Sequence, residues 1–311
     1  MTKEIESKEL KQKVIDYLVE EKLRMLAERT IENKKLAIQH LYLSLVHVGL
    51  TKWEDVAVND IKKYFHLKIQ KNFRTRRGLA LNVVLVKHFL KWLFEQGTTK
   101  INLGDSLKFP RLPEVPVECP TPKELADLSQ FVWSNDVAAN KRAMFLIIRD
   151  TGLRSNELRH LQLTDLDFAN NAIFVKKTKA KITKYVCFTN ETKTAIIDYM
   201  NEWAPRKYLF FNPGDEERVL SRYYIYLVVS EIINKWRPDW KGPKGAHTIR
   251  HAFATDFIDK TDGNITGLQW MMGWRNITMA NRYVHSNPGM IQRAYNDYQK
   301  KKKIAEQSEK S

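Results

Sequence analysis

The sequence predicts a mainly α protein with a small β-sheet, built as a helical first domain followed by an α+β second domain. Three observations carry this. Leu79, Val83, Val86, Leu90 and Leu93 recur at steps of four and three, the stripe of an amphipathic helix. Residues 109–122, FPRLPEVPVECPTP, hold five prolines, which favour extended chain and mark a linker. Beyond them, helical patterns alternate with short β-branched and aromatic runs that flank a lysine-rich turn.

The first domain is expected over 1–108. Its helices are predicted over 7–26, over 30–48 (where Ile38, Leu41, Leu45 and Val48 share a face), over 59–71 after a turn at 51–54, and over 76–95, which Gly97 stops. The last helix and the turn before it carry Lys71, Arg74, Arg76, Arg77, Lys87 and Lys91. A basic face of this kind can track a phosphate backbone, although ordinary solvation accounts for any single lysine in it.

The linker, 109–120, gives way at Thr121-Pro122-Lys123-Glu124, a capping box with proline at the first helical position. The second domain is expected over 121–290. Helices are predicted near 121–134, 138–151, 155–162, 190–202, 219–235, 247–259 and 265–272, and the chain around Tyr283 reads as helical again. Strands are predicted at 172–176 and 185–188, with Lys176, Lys177, Lys179, Lys181 and Lys184 in the turn between them, and a strand-like run at 208–211. Residues 291–311 form a C-terminal tail that starts helical and ends polar after Lys300–Lys303.

Composition narrows the function. With 311 residues and 43% hydrophobic side chains, a sizeable core is available and wholesale disorder is not expected. A net charge of +16 points to a polyanionic partner, above all nucleic acid. Cys119 and Cys187 are the two cysteines, with no CxxC or Cys/His cluster, so a zinc site is not expected. The N-terminus is charged from the start and lacks the apolar core of a signal peptide; no apolar run approaches the ~18 residues of a membrane span. A cytoplasmic, nucleoid-associated protein with no membrane partner is expected. No separate domain is expected before the first helix. Neither a P-loop nor a carboxylate metal cluster is present, so no metal and no cofactor is expected.

The chemistry-bearing residues stand in order: Arg154 in TGLRSNEL, His247 and Arg250 in HTIRHAFAT, Trp274 in MMGWRN, and Tyr283 nine residues after Trp274. A phosphodiester in nucleophilic displacement gathers charge on its non-bridging oxygens, and planar guanidinium forks stabilise that charge best. Arg154 and Arg250 suit this task, and Glu157, three residues after Arg154, can orient it. His247 and Arg250, three apart, project from one helical face and pair an imidazole with a guanidinium. His251 points about 100° round the helix from Arg250 and reads as a supporting residue. Tyr283, in NRYVH, supplies a phenol nucleophile that needs nearby cations or a base. A lysine on the β-turn can protonate a leaving oxygen, and residue type alone does not choose among the five.

Taken together, this set resembles the tyrosine recombinase (phage integrase) family, Xer-type recombinases included. The resemblance covers nearly the whole chain: 1–108 is similar to the helical core-binding domain, with Phe89-Leu90-Lys91-Trp92-Leu93 a common spelling of its last helix, and 121–290 to the catalytic domain. Arg154, Glu157, His247, Arg250 and Tyr283 match the family's motif positions. Gly273-Trp274 stands where Gly-His is frequent. Aligning Thr178-Lys179-Ala180-Lys181 with the family's turn selects Lys179 as the catalytic lysine, with Lys177 and Lys181 still open. The resemblance implies a site-specific DNA recombinase, needing neither ATP nor metal, that acts as a homotetramer on duplex DNA through a 3′-phosphotyrosine. Integration or excision of a mobile element and resolution of DNA multimers are both compatible. A catalytically silent DNA-binding protein and a type IB topoisomerase-like enzyme are the alternatives. Arg74, Arg76, Arg77, Lys87 and Lys91 would then face DNA, and the 291–311 tail would contact a neighbouring protomer.

Overall fold

The computed structural model describes residues 7–70, 75–108, 118–134, 136–176, 183–212, 214–280, 283, 292, 293, 295–300 and 302. The chain divides into two compact units, Met1–Val115 and Pro116–Ser311. Among the described residues no helix is long and apolar enough to cross a membrane.

In the first unit α1 (Lys8–Leu23), α2 (Glu28–His47), α3 (Val58–Gln70) and α4 (Arg76–Glu95) enclose one core. The α4 stripe turns inward as its spacing requires, with Val83, Val86, Leu90 and Leu93 all buried. The Thr75 hydroxyl caps the helix by accepting from the Gly78 N–H at 3.0 Å. Trp53, from the turn after α2, is fully buried; its indole N–H donates to the Leu10 carbonyl at 3.1 Å and its ring stands edge-on to Phe89. Val48 departs from its predicted place in the α2 stripe. The helix ends at His47, the chain turns at Gly49 with φ +86°, and Val48 is exposed.

The second unit opens with α5 (Pro122–Ser134), whose capping box is reciprocal. The Glu124 carboxylate accepts from the Thr121 N–H at 2.9 Å, and the Thr121 hydroxyl accepts from the Glu124 N–H at 3.3 Å. At the centre lies α6 (Ala139–Thr151), buried without a break from Ala143 to Ile148. Such an all-round apolar helix needs neighbours on every side. They are α5, α8 (Asn190–Trp203), α9 (Arg222–Trp236) and α10 (Ala246–Lys260).

Strands β1 (Leu166–Asp167), β2 (Ala172–Val175) and β3 (Lys184–Cys187) form an antiparallel sheet in that order. Ile173 stands opposite Val186, both fully buried, while Phe174 and Tyr185 pair on the other face with rings 4.8 Å apart. Strand alternation then fixes one further side chain: Lys184, two residues before Val186, must point inward.

On either side of these strands the structure departs from expectation. The helix α7 (Ser155–Leu158) stops four residues short of 162, because the chain passes through a 3₁₀ turn at Leu163–Asp165 and bridges Gln162 to Tyr208. The run at 208–211 leads into a hairpin, β4 (Phe211–Asn212) with β5 (Asp215–Val219), and α9 starts at Arg222 rather than 219. The exposed charges Asp215, Glu217 and Arg218 give β5 no apolar alternation to read.

A satellite cluster apart from the main core collects Phe253, Ala254 and Ile258 of α10, Leu268 and Met272 of α11 (Ile265–Met272), and then Trp274, Ala280 and Tyr283. The candidate site lies along this seam.

Candidate active site

Two glycines shape the seam. Gly152 ends α6 at φ +59°, and a Cβ there would lie 2.7 Å from the Phe253 ring and 3.0 Å from the Met272 sulfur. Gly273 ends α11 at φ +60°, and a Cβ there would lie 3.1 Å from Lys184 Cδ. Both need the left-handed region that glycine enters without steric cost.

The C-terminal end of α11 is the organising feature. The last four carbonyls of a helix have no partner within it. Here the Gln269 carbonyl accepts from the Trp274 N–H and the Trp270 carbonyl from the Gly273 N–H. The remaining two turn to cations. Met271 accepts from Lys184 Nζ at 2.8 Å, and Met272 accepts from Arg154 Nη1 at 3.3 Å and from Arg250 Nη2 at 2.9 Å. The negative end of the helix dipole favours this gathering of charge.

Arg154 caps α7. Its backbone N–H donates to Glu157 Oε2 at 3.0 Å and its guanidinium to Glu157 Oε1 at 2.8 Å, so one carboxylate fixes both chain and side chain. Arg250 is buried, and its second fork atom, Nη1, donates to the Gly152 carbonyl. Glu157 is buried too, with Lys184 Nζ 3.4 Å from its Oε2. Burial alone would raise its pKa; Lys184, the Arg154 N–H and the Arg154 guanidinium outweigh that and hold it below the ordinary carboxylate range. Burial, followed by the charge of Arg154, brings Arg250 down to about 10, still cationic at neutral pH. Lys184 falls to about 8: burial lowers it, Glu157 partly restores it, and Arg250 and Arg154 lower it again. Three cations thus surround a single carboxylate, an excess of positive charge suited to an incoming phosphate.

Tyr283 is 4% exposed and sits between two rings. Trp274 stacks on it at 5.8 Å between centroids and 13° between planes, and the Arg250 guanidinium lies 6.0 Å from the Trp274 ring centre. The Tyr283 hydroxyl and His251 Nδ1 are 2.5 Å apart. His247, one turn earlier on α10, lies at the exposed edge with its ring 5.9 Å from that of His251. The protein around it strips part of its hydration and, with Arg250 and Arg154 beside it, holds its pKa below the usual 6.5.

Arg154, Glu157, Arg250, Trp274 and Tyr283 therefore converge on one seam, with His247 at its rim. Lys179, with Lys177 and Lys181, lies outside the described residues, as does Arg74. Arg76 and Arg77 are exposed at the start of α4. Lys91 is exposed with Nζ 3.4 Å from Glu95, and Lys87 is half-buried, donating to the Leu107 carbonyl at 3.4 Å. Two further residues belong to the seam. Lys184, one of the five lysines left open on the turn, is the first residue of β3, and its alternation with Val186 is the signal that turns it inward. His251 diverges from Arg250 around the helix but shares the face of His247 at i+4.

Known proteins share sequence and fold with this chain. The model of the phage integrase family matches residues 120–290. The chain is 22% identical over 271 residues to tyrosine recombinase XerC of Salmonella typhi, covering 84% of this chain and 86% of that protein. It is 23% identical over 272 residues to XerC of Escherichia coli O6:K15:H31, covering 84% and 87%. In fold it resembles the Tn1549 transposon integrase in complex with transposon right end DNA, at TM-score 0.70 and 18% identity over 90% of this chain and 98% of that one. It likewise resembles the XerH recombinase bound to difH substrate, at TM-score 0.70 and 17% identity over 93% and 84%. With the family model spanning more than half of its length, the chain belongs to the phage integrase family, as a Xer-like tyrosine recombinase.

Proposed function

We propose that this chain cuts and rejoins duplex DNA at specific sites through a 3′-phosphotyrosine formed on Tyr283. One observation carries the reading: the Tyr283 hydroxyl is held against His251 beside Arg250, which shares the Met272 carbonyl with Arg154. A nucleophile and two guanidinium forks thereby adjoin one space, the arrangement an in-line phosphoryl transfer needs. The proteins of similar fold, bound to transposon right end DNA and to difH substrate, support DNA as the partner.

In this reading Tyr283 attacks the scissile phosphorus, the 5′-oxygen leaves, and Arg154 and Arg250 stabilise the charge on the non-bridging oxygens. Lys179, or Lys177 or Lys181 on the same turn, protonates the leaving oxygen. His247 serves proton transfer at the phosphate, Trp274 braces the tyrosine, and Glu157 orients Arg154. A 5′-hydroxyl of the partner strand then displaces Tyr283. Each step exchanges one phosphodiester for another, so no ATP is consumed, and the guanidinium forks take the place of a metal ion. The 1–108 region acts as the core-binding domain, 121–290 as the catalytic domain, and four protomers assemble on DNA with 291–311 as an inter-protomer contact. The biological task is integration or excision of a mobile element, or resolution of DNA multimers, in the cytoplasm at the nucleoid.

The test is covalent trapping. Nicked duplexes from the DNA flanking the coding sequence are incubated with the protein in EDTA and quenched with detergent. A metal-independent adduct that Tyr283→Phe abolishes is expected; tight binding to the same duplex without an adduct would reduce the chain to a DNA-binding protein.

A further inference from the structure

We propose that His251 is the base that receives the phenolic proton of Tyr283 during attack, while His247 serves the phosphate. This rests on the recombinase reading above and assigns a step which that reading leaves open.

Among the described residues around the phenol, the other side chains are poorly suited to take its proton. Arg250 is a cation committed to the Gly152 and Met272 carbonyls and has no lone pair to offer. Trp274 covers the ring face, and its indole N–H is a donor only. Glu157 is held by Arg154 and Lys184. His247 stands a turn away, its ring 5.9 Å from that of His251. His251 Nδ1 is 2.5 Å from the hydroxyl, within direct transfer distance, with the two rings 5.8 Å apart and inclined at 35°. The helix explains the placement: His247, Arg250 and His251 at i, i+3 and i+4 line one side of α10, and the satellite cluster fixes Tyr283 against it.

The step balances. As the Tyr283 oxygen bonds to phosphorus, its O–H bond breaks and the proton passes to His251 Nδ1, giving an imidazolium. The bond from phosphorus to the 5′-oxygen breaks, its electron pair leaves with that oxygen, and the turn lysine protonates it. In the second transesterification the imidazolium returns the proton to the departing phenolate. His251 needs its proton on Nε2 at the outset, leaving Nδ1 to accept.

Three measurements test this. On a nicked duplex that yields the wild-type adduct, His251→Gln, which keeps an acceptor but no base, should slow adduct formation about 100-fold or more. His251→Ala should regain rate with added imidazoles, the more so the more basic the imidazole. Nitrogen NMR of the unliganded protein should show His251 Nδ1 unprotonated and perturbed by Tyr283→Phe, a readout that needs no DNA. A His251→Gln rate within about threefold of wild type, or rescue indifferent to imidazole basicity, would overturn the assignment while leaving the recombinase reading standing. Nδ1 found protonated and donating to the phenol would do the same. A wild type that forms no adduct on duplexes it binds tightly overturns both.

Discussion

Arg154 and Arg250, ninety-six residues apart, donate to the same backbone oxygen, the carbonyl of Met272. Their separation is thereby set by a helix end rather than by side-chain packing alone. Glu157 then fixes Arg154, and Gly152 fixes Arg250. Electrostatic preorganisation of this kind depends on donors that do not move when charge develops.

Arg250→Lys should keep the charge and lose the fork. One ammonium cannot reach both the Gly152 and the Met272 carbonyls with the same geometry. Adduct formation should fall by about 100-fold or more, with a stability loss of about 1–3 kcal/mol from the carbonyl left unpaired. Single-turnover trapping and urea denaturation read the two effects separately. A fully active lysine variant would remove the fork from the mechanism.

Gly152→Ala should destabilise by about 1–3 kcal/mol, through its left-handed backbone and through contact with Phe253 and Met272. Gly273→Ala should cost less, since its new Cβ meets only the flexible Lys184 chain. Urea midpoints rank the two; Gly152→Ala matching wild type would contradict the close packing of α6 on α10 and α11.

Lys184 should leave a signature in the pH dependence of stability. Its pKa is about 8 in the folded protein against an ordinary 10.5. Below pH 8 the lysine is charged in both states, and its burial is fully opposed to folding. Between about 8 and 10.5 the unfolded chain holds a proton that the folded one has lost, so stability rises with pH across that window. Wild type should show this rise relative to Lys184→Met, measured as the difference in unfolding free energy from pH 7 to 10.5. Parallel curves would show that Lys184 is not buried as described.

Arg76→Ala and Arg77→Ala should each weaken binding to any duplex and reduce the salt slope of log K by about one. Lys87→Met should do much less, because its ammonium is turned to the Leu107 carbonyl. Fluorescence anisotropy across a salt series distinguishes them. Equal effects from all three would mean that Lys87 leaves that carbonyl when DNA binds.

The helices of this chain were legible because their apolar residues keep a 3.6-residue period, as Val83, Val86, Leu90 and Leu93 do. The hairpin β4–β5 was not, because Asp215, Glu217 and Arg218 face water and carry no period. The same division runs through the site. Residue type, order and spacing marked Arg154, His247, Arg250 and Tyr283 as a set, and the family resemblance gave Glu157 and Trp274 their places beside them. Which groups touch was decided by tertiary structure. Lys184 reached Glu157 because one residue of strand register turns a side chain from solvent to core. His251 reached Tyr283 because α10 and the chain after α11 pack into one cluster. The Met271 and Met272 carbonyls became the anchor for three cations only because α11 ends there with its last acceptors unspent. Local sequence fixes backbone period and chemical type; the partners of unpaired groups are settled by where distant segments meet.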